Sequence, residues 1–362
     1  MNIRALIDLA RVKGASDVHL VVSSPPMLRI NGSMQAIDEV APLTAEDTTE
    51  AFHQLATPEE REDFQRRLEL DFSCSLPDGG RIRCNIAQQR KAISLAIRLL
   101  PLTIPTIDEL GLPEICKDLI LRPRGLIMVS GPTGSGKSTT LAAMIQHLNT
   151  TQRCHVVTIE DPIEYTYPSL QCAITQRELG SDTMSFAEAL KHILRQDPDV
   201  ILVGEVRDTE TAAAVLTVAE TGHLVLTTGH APSAAQAMER VIDLFPPHEQ
   251  HLAQARLASV LLSVLCQVLV PRADGSGRIA AVELMLANPP VRNLIREGKI
   301  YQLPNTIRTH SHLGMVTLDQ ELANLYLKGI ISSENLLAFC NDRDEVERLT
   351  EVKLAEGSLL PE

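Results

Sequence analysis

The sequence predicts an α/β protein: a mostly parallel sheet with helices on both faces, preceded by a small α+β domain. Three observations carry this. Between residues 125 and 228 the apolar runs "GLIMVS", "CHVVTIE", "DVILVG" and "HLVLTT" alternate with helical segments, as strands joined by crossover helices do. A glycine-rich turn, "GPTGSGKS", separates the first of these runs from the helical "TTLAAMIQHL". The apolar period also changes on passing "PLTIPTIDELGLP", whose three prolines in 13 residues read as a linker. The expected boundaries are 1–100 for the first domain, 101–122 for the linker and 123–362 for the second.

In the first domain, Ile3, Leu6, Ile7 and Ala10 share one helical face, and "ASDVHLVV" then turns strand-like. Thr57, Pro58 and Glu60 form a helix start with N-cap, N1 proline and capping box. "DGGRIRCNIAQQ" gives a turn at Asp78 to Gly80 and then a strand, and "AISLAIRLL" gives another. In the second domain, Ser185 and Glu188 make a capping box ahead of Phe186, Leu190, Ile193 and Leu194. Asp208 caps the next helix, which should stop at Gly222 in the left-handed C′ conformation. From about Pro247 the chain reads as mainly helical, with one strand at "GRIAAVELM". No internal repeat is visible.

Composition narrows the function. A chain of 362 residues can bury two or three cores. A net charge of −13 opposes a general nucleic-acid binder, which needs a basic surface to replace counterions. Aromatics are 3% with no Trp, so base stacking is poorly supplied. No apolar run reaches the roughly 20 residues of a membrane span, and Asp8 and Arg11 interrupt any signal-peptide core. The seven cysteines are scattered with no CxxC pair, which predicts reduced thiols in a cytoplasmic protein.

The run Gly131, Pro132, Thr133, Gly134, Ser135, Gly136, Lys137, Ser138 fits G-x-x-x-x-G-K-[ST] between a strand and a helix, with Thr139 following. Glycines let backbone N–H groups turn inward around phosphate oxygens, and the helix N-terminus adds partial positive charge. Lys137 reaches the β- and γ-phosphates, and the Ser138 hydroxyl suits Mg²⁺. The bland alternative, a chance glycine-rich turn, does not account for the strand–loop–helix setting. Hydrolysis of a bound nucleotide also needs carboxylates. Glu160, Asp161 and Glu164 stand at and beyond one strand end, and Glu205 at another, where such folds place their ligands. Each, taken alone, reads equally as a solvated loop acid. The P-loop template expects Asp at the second position, and here Gly204 and Glu205 stand instead.

His223 and His230 lie seven apart in "ETGHLVLTTGH", flanking an apolar run. A metal site lacks a third ligand at suitable spacing. A hydrogen-bonded core pair and a pair of contacts beside the phosphate pocket both remain open. If the stretch is extended they stand roughly 20 Å apart, so both cannot touch one γ-phosphate. Arg81, Arg83, Arg90 and Arg98 have strand-like spacing, and Arg81 and Arg83 share a face. Their ordinary reading is a solvated or acid-paired surface.

These motifs together resemble the type II secretion and type IV pilus ATPase superfamily, and most closely its PilT-type retraction ATPases. The matching pieces include "GPTGSGKSTT", "TIEDPIEY", "DPDVILVGEVRD", "ETGHLVLTTGH", "ASDVHLVVSSPPMLRINGSM", "GRIRCN", "VRNLIREGK" and "LGMVTLD". The resemblance implies a PAS-like first domain, a RecA-like P-loop ATPase domain, and a homohexamer driven by ATP with Mg²⁺. It implies that Lys137 and Ser138 hold phosphates and metal, that Glu205 is the metal-side carboxylate, and that Glu164 polarises the attacking water. His223 and His230 complete the site, and Arg81, Arg83 and Arg98 include arginine fingers, a task suited to a permanently charged bidentate fork. The implied partner is an inner-membrane platform protein of the pilus. Membrane association would come only through partners, at the cytoplasmic face.

Pilus-extension and type II secretion ATPases of the same superfamily typically carry two CxxC pairs and a longer amino-terminal region; neither is found here. In "VRNLIREGK" Val291, Leu294 and Ile295 form an apolar stripe, with Arg292, Arg296 and Lys299 as a basic edge. Retraction is therefore expected over extension or secretion. A nucleic-acid motor is opposed by charge and scarce aromatics, and a non-hydrolysing scaffold by Glu164 and Glu205.

Overall fold

The stripe predicted at Ile3, Leu6, Ile7 and Ala10 is buried on helix α1 (Ile3–Val12), with the Asn2 side chain capping its first turn. The computed structural model describes residues 2–30, 32–37, 40–77 and 80–350. The expected turn at Asp78 lies outside them. The chain divides into two units, Met1–Thr103 with Glu164–Thr166, and Ile104–Ile163 with Tyr167–Glu362.

The first unit pairs β1 (Asp17–Leu20), β2 (Met27–Ile30), β3 (Ser33–Ala36), β4 (Glu69–Ser75), β5 (Arg81–Gln89) and β6 (Ala92–Leu99) in an antiparallel sheet ordered β3-β2-β1-β6-β5-β4. Period-2 alternation buries Ile82, Cys84 and Ile86 under α1, α2 (Ala45–Leu55) and α3 (Pro58–Arg67). It leaves Arg81 and Arg83 together on the other face. At the start of α3, Thr57 and Glu60 make the predicted reciprocal cap, with the Thr57 N–H donating to the Glu60 carboxylate at 2.6 Å. Arg90 departs from its expected strand position. Gln89 pairs with Ala92, so Arg90 and Lys91 form a two-residue hairpin turn, with φ of 48° and 66°.

The second unit holds β7 (Gly125–Ser130), β8 (His155–Glu160), β9 (Ala173–Glu178), β10 (Val200–Val203), β11 (Leu224–Thr228), β12 (Leu261–Pro271) and β13 (Arg278–Leu286), ordered β13-β12-β7-β11-β10-β8-β9. Only β13 pairs antiparallel among these. On β7, Leu126 and Met128 enter one core and Ile127 and Val129 the other, so the strand is apolar on both sides. The first of these cores is covered by α6 (Phe186–Ile193), α7 (Thr209–Glu220), α8 (Ala234–Asp243), α9 (Gln250–Val260), α10 (Pro289–Arg296) and α11 (Leu303–Thr309). The second is covered by α4 (Ile115–Ile120) and α5 (Lys137–Thr151), the latter centred on Leu141, Met144 and Ile145. Helices α12 (Leu318–Leu327), α13 (Ser333–Phe339) and α14 (Arg343–Thr350) pack on Val270 and Ile279.

The structure departs from expectation at four further places. The 101–122 segment is not a free linker, because Ile107, Leu112, Cys116, Leu119 and Ile120 bury themselves in the second unit's core. Leu261–Pro271 is a strand inside the sheet, within the part of the chain expected to be mainly helical. Glu188 does not close a capping box: Ser185 accepts its N–H, but its carboxylate turns to Lys191 at 2.9 Å. Arg292 does not line a solvated edge. Its guanidinium donates to the carbonyls of Ala258, Ser259 and Leu261, satisfying orphan groups where α9 ends.

The Arg90–Lys91 turn places two side chains in the left-handed region that Asn and Gly adopt at less cost. Arg90→Asn with Lys91→Gly is expected to stabilise the protein by about 1 kcal/mol in urea unfolding, by relieving that strain. A loss of stability would show that these side chains hold the hairpin.

Candidate nucleotide site

Parallel strands end at one edge of the sheet, and the polar chemistry of the second unit collects there. β7 leads into the loop Gly131–Gly136, β8 ends at Glu160, and Glu205 and His230 lie two residues beyond β10 and β11. The loop is built on close approach. A Cβ at Gly131 (φ 144°) would lie 2.3 Å from the Gln267 carbonyl oxygen of β12 and 2.7 Å from Ser135 Oγ. Gly134 and Gly136 also have positive φ, and Gly136 caps α5 in the left-handed conformation. Pro132, Thr133 and Gly134 are exposed, and Ser135 is buried. Lys137 Nζ lies over the loop, donating to the carbonyls of Gly131 at 2.8 Å and Pro132 at 2.9 Å. Ser138 and Thr139 follow in the first turn of α5, half-buried.

Glu205 is nearly buried and paired on both sides, to Arg207 Nε at 2.6 Å and to His230 Nε2 at 3.6 Å. Gly204 fits against β8 because a Cβ there would meet the Ile159 carbonyl at 3.2 Å, and Thr228 Oγ1 donates to the Gly204 carbonyl. At the end of β8, Glu160 is buried and accepts from Thr158 Oγ1 at 2.6 Å and Gln176 Nε2 at 3.1 Å. The turn that carries His230 is fixed to β7. Ser130 Oγ donates to the Ala231 carbonyl at 2.7 Å and accepts the Ala231 N–H at 2.8 Å, while the Gly229 N–H donates to the Val129 carbonyl.

The two histidines are separated as extended geometry requires. His230 stands at the carboxyl end of β11 beside Glu205. His223 stands at the amino end, where its carbonyl accepts the Gly125 N–H at the start of β7 and its ring Nδ1 donates to the Val218 carbonyl at 3.1 Å. They are not a hydrogen-bonded pair, and His223 lies at the edge away from the glycine-rich loop.

The remaining expected residues belong to the first unit. Arg83 and Arg98 are directly opposite on β5 and β6, and Arg81 lies on the same face as Arg83. Arg98 Nε donates to Asp17 at 3.0 Å. Burial works against ionisation of Asp17, but bonds from Ser16 and Arg98 outweigh it and hold the carboxyl below its usual range. Glu164 is half-buried and groups with the first unit.

Two residues escaped sequence reading. Gln267 is 1% exposed, and its side chain bridges the glycine-rich loop and α5. Glu283 of β13 is buried and accepts from the Ala234 N–H at 2.7 Å and the Leu318 N–H at 3.4 Å, tying the start of α8 to the start of α12. Burial pushes its carboxyl above the usual range, against the pull of those two N–H groups. The signal for both was a polar residue inside an apolar strand run.

Residues 2–299 match the family model described as type II/IV secretion system protein. The chain is 45% identical over 335 residues to the type IV pilus retraction ATPase PilT of Pseudomonas aeruginosa, covering 92% of this chain and 97% of that one. It is 42% identical to a twitching motility protein of Neisseria gonorrhoeae, covering 92% and 89%. A crystal structure of the pilus retraction motor PilT with bound ADP superposes with a TM-score of 0.89 at 41% identity, covering 96% and 99%.

The glycines of the loop differ in what surrounds them. Gly134→Ala meets open space, so it should cost only about 1 kcal/mol of left-handed strain. Gly131→Ala must also displace the β12 backbone, and about 3 kcal/mol or more is expected. Equal costs in chemical unfolding would show that the loop is not pressed against β12.

Proposed function

The chain belongs to the type II/IV secretion system protein family, and from that premise we propose that it is an ATP-hydrolysing motor that retracts a type IV pilus as a hexameric ring. The observation that carries the reading is the loop itself, with Lys137 folded over its carbonyls and the Glu205–His230 pair beyond the neighbouring strands. Inward N–H groups and the α5 terminus hold phosphate oxygens, and Lys137 places a full positive charge on the β- and γ-phosphates. The Ser138 hydroxyl and the Glu205 carboxylate are hard oxygen donors, a set that fits Mg²⁺. That ion, when bound, would neutralise charge on the phosphates. Glu164 is assigned to orient the attacking water.

Arg81, Arg83 and Arg98 are assigned to a neighbouring subunit's site, where a guanidinium offsets charge developing on the transferred phosphoryl group. On this reading His230 responds to the phosphate side through Glu205, and His223 carries the change to the opposite sheet edge. No described helix is long and apolar enough to cross a membrane. The proposed membrane contact is an inner-membrane platform protein, met from the cytoplasmic side.

Lys137→Ala is expected to abolish nucleotide binding. Glu205→Gln should keep binding while kcat falls about a hundredfold or more, since binding and chemistry draw on different groups. Near-normal turnover in Glu205→Gln would remove Glu205 from the mechanism.

Mixing tests the ring. Lys137→Ala subunits combined with Arg81→Ala or Arg98→Ala subunits should regain part of the ATPase activity, because some interfaces pair an intact loop with an intact arginine. If no mixture exceeds either variant alone, the assignment across subunits fails.

A further inference from the structure

We propose that Gln267 is a positioning residue of the nucleotide site, holding the phosphate-binding loop with its N–H groups turned inward. The proposal rests on the nucleotide reading above and adds a residue to it. β12 outruns β7: Cys266 pairs with Ser130, the last residue of β7, so Gln267 lies alongside the loop. Its side chain is buried and uses both ends of its amide. Nε2 donates to the Ser135 carbonyl at 2.6 Å, and Oε1 accepts from Thr140 Oγ1 at 2.9 Å.

The Ser135 carbonyl and the Gly136 N–H belong to one planar trans peptide, so they point in opposite directions. Holding the carbonyl toward β12 therefore aims the Gly136 N–H the other way, into the loop. Gly136 has φ 89° and no side chain, so its own backbone opposes rotation of that peptide less than another residue would. Rotation would present a carbonyl dipole to a phosphate in place of an N–H. The second bond reaches Thr140, three residues after Lys137, and fixes the first turn of α5 to the same amide. A primary amide supplies the needed donor and acceptor together. A carboxylate would set an oxygen against the Ser135 carbonyl, and an apolar side chain would supply neither.

The test measures ADP binding by calorimetry and ATP turnover on full-length protein. Gln267→Met keeps length and removes both polar atoms. It is expected to weaken ADP binding and raise KM about tenfold, with kcat far less affected, the size of effect that follows losing a bond to a buried carbonyl. Gln267→Glu should bind ADP as poorly at pH 8 and recover toward wild-type affinity as the pH falls to 6, because the protonated carboxyl again donates to Ser135 and accepts from Thr140. Wild type in the same buffers should show no such recovery. If Gln267→Met does not fold, the pH profile of Gln267→Glu decides alone. Wild-type affinity in Gln267→Met, wild-type affinity in Gln267→Glu at every pH from 6 to 9, or a loss in Gln267→Glu with no recovery on acidification, overturns the proposal. If wild type itself binds no ADP, the nucleotide reading fails with it; normal wild-type binding beside indifferent variants sinks the role of Gln267 alone.

Discussion

Two backbones pass within contact distance where β12 runs beside the loop leaving β7, and the candidate nucleotide site depends on that approach. Residue 131 must be glycine because the Gln267 carbonyl occupies the place of a side chain. With the loop pressed there, α5 starts from a left-handed Gly136 and carries Lys137 back over the loop carbonyls. The same proximity lets one buried side chain reach both the loop and the helix. Protein interiors are packed too tightly for such a seam to shift gradually, so its parts hold or fail together.

A second consequence concerns the strand between the histidines. Leu224, Val225, Leu226 and Thr227 are fully buried between the two cores, and β11 is hydrogen-bonded to β7 on one side and β10 on the other. Such a strand is held on both edges and both faces. His230 at one end shares a carboxylate with Arg207, while His223 at the other is bonded to the last turns of α7. A rearrangement at the Glu205 end would reach the opposite edge of the sheet through a rigid element, which is what a motor of the proposed kind requires.

Buried polar groups set the loops around this frame. Ser130 grips both backbone groups of Ala231, Glu283 joins the starts of α8 and α12, and Arg292 closes the end of α9. Each satisfies backbone groups that helix termini and turns leave unpaired, where an orphaned group would cost about 1–3 kcal/mol. The late motif "VRNLIREGK" therefore has a structural duty in Arg292 as well as the apolar stripe, since Val291 and Ile295 are buried.

The sequence by itself determined what is local. The period of apolar residues set β7, β8, β10, β11 and the helices between them, and capping chemistry placed Thr57, Ser185 and Asp208 at helix starts. The glycine-rich loop was legible because phosphate binding needs those residue types in adjacent positions. Strand β12 was not, because a strand buried on both faces is apolar throughout and lacks the alternation that tells it from a buried helix. Nor was the embedding of residues 104–122, where proline content concealed side chains that only a distant core could cover. Tertiary structure alone brought Gln267 within reach of Ser135 and Thr140, 132 and 127 residues away. It alone put His223 and His230 at opposite edges, because which end of a strand meets the site is fixed by the strands beside it.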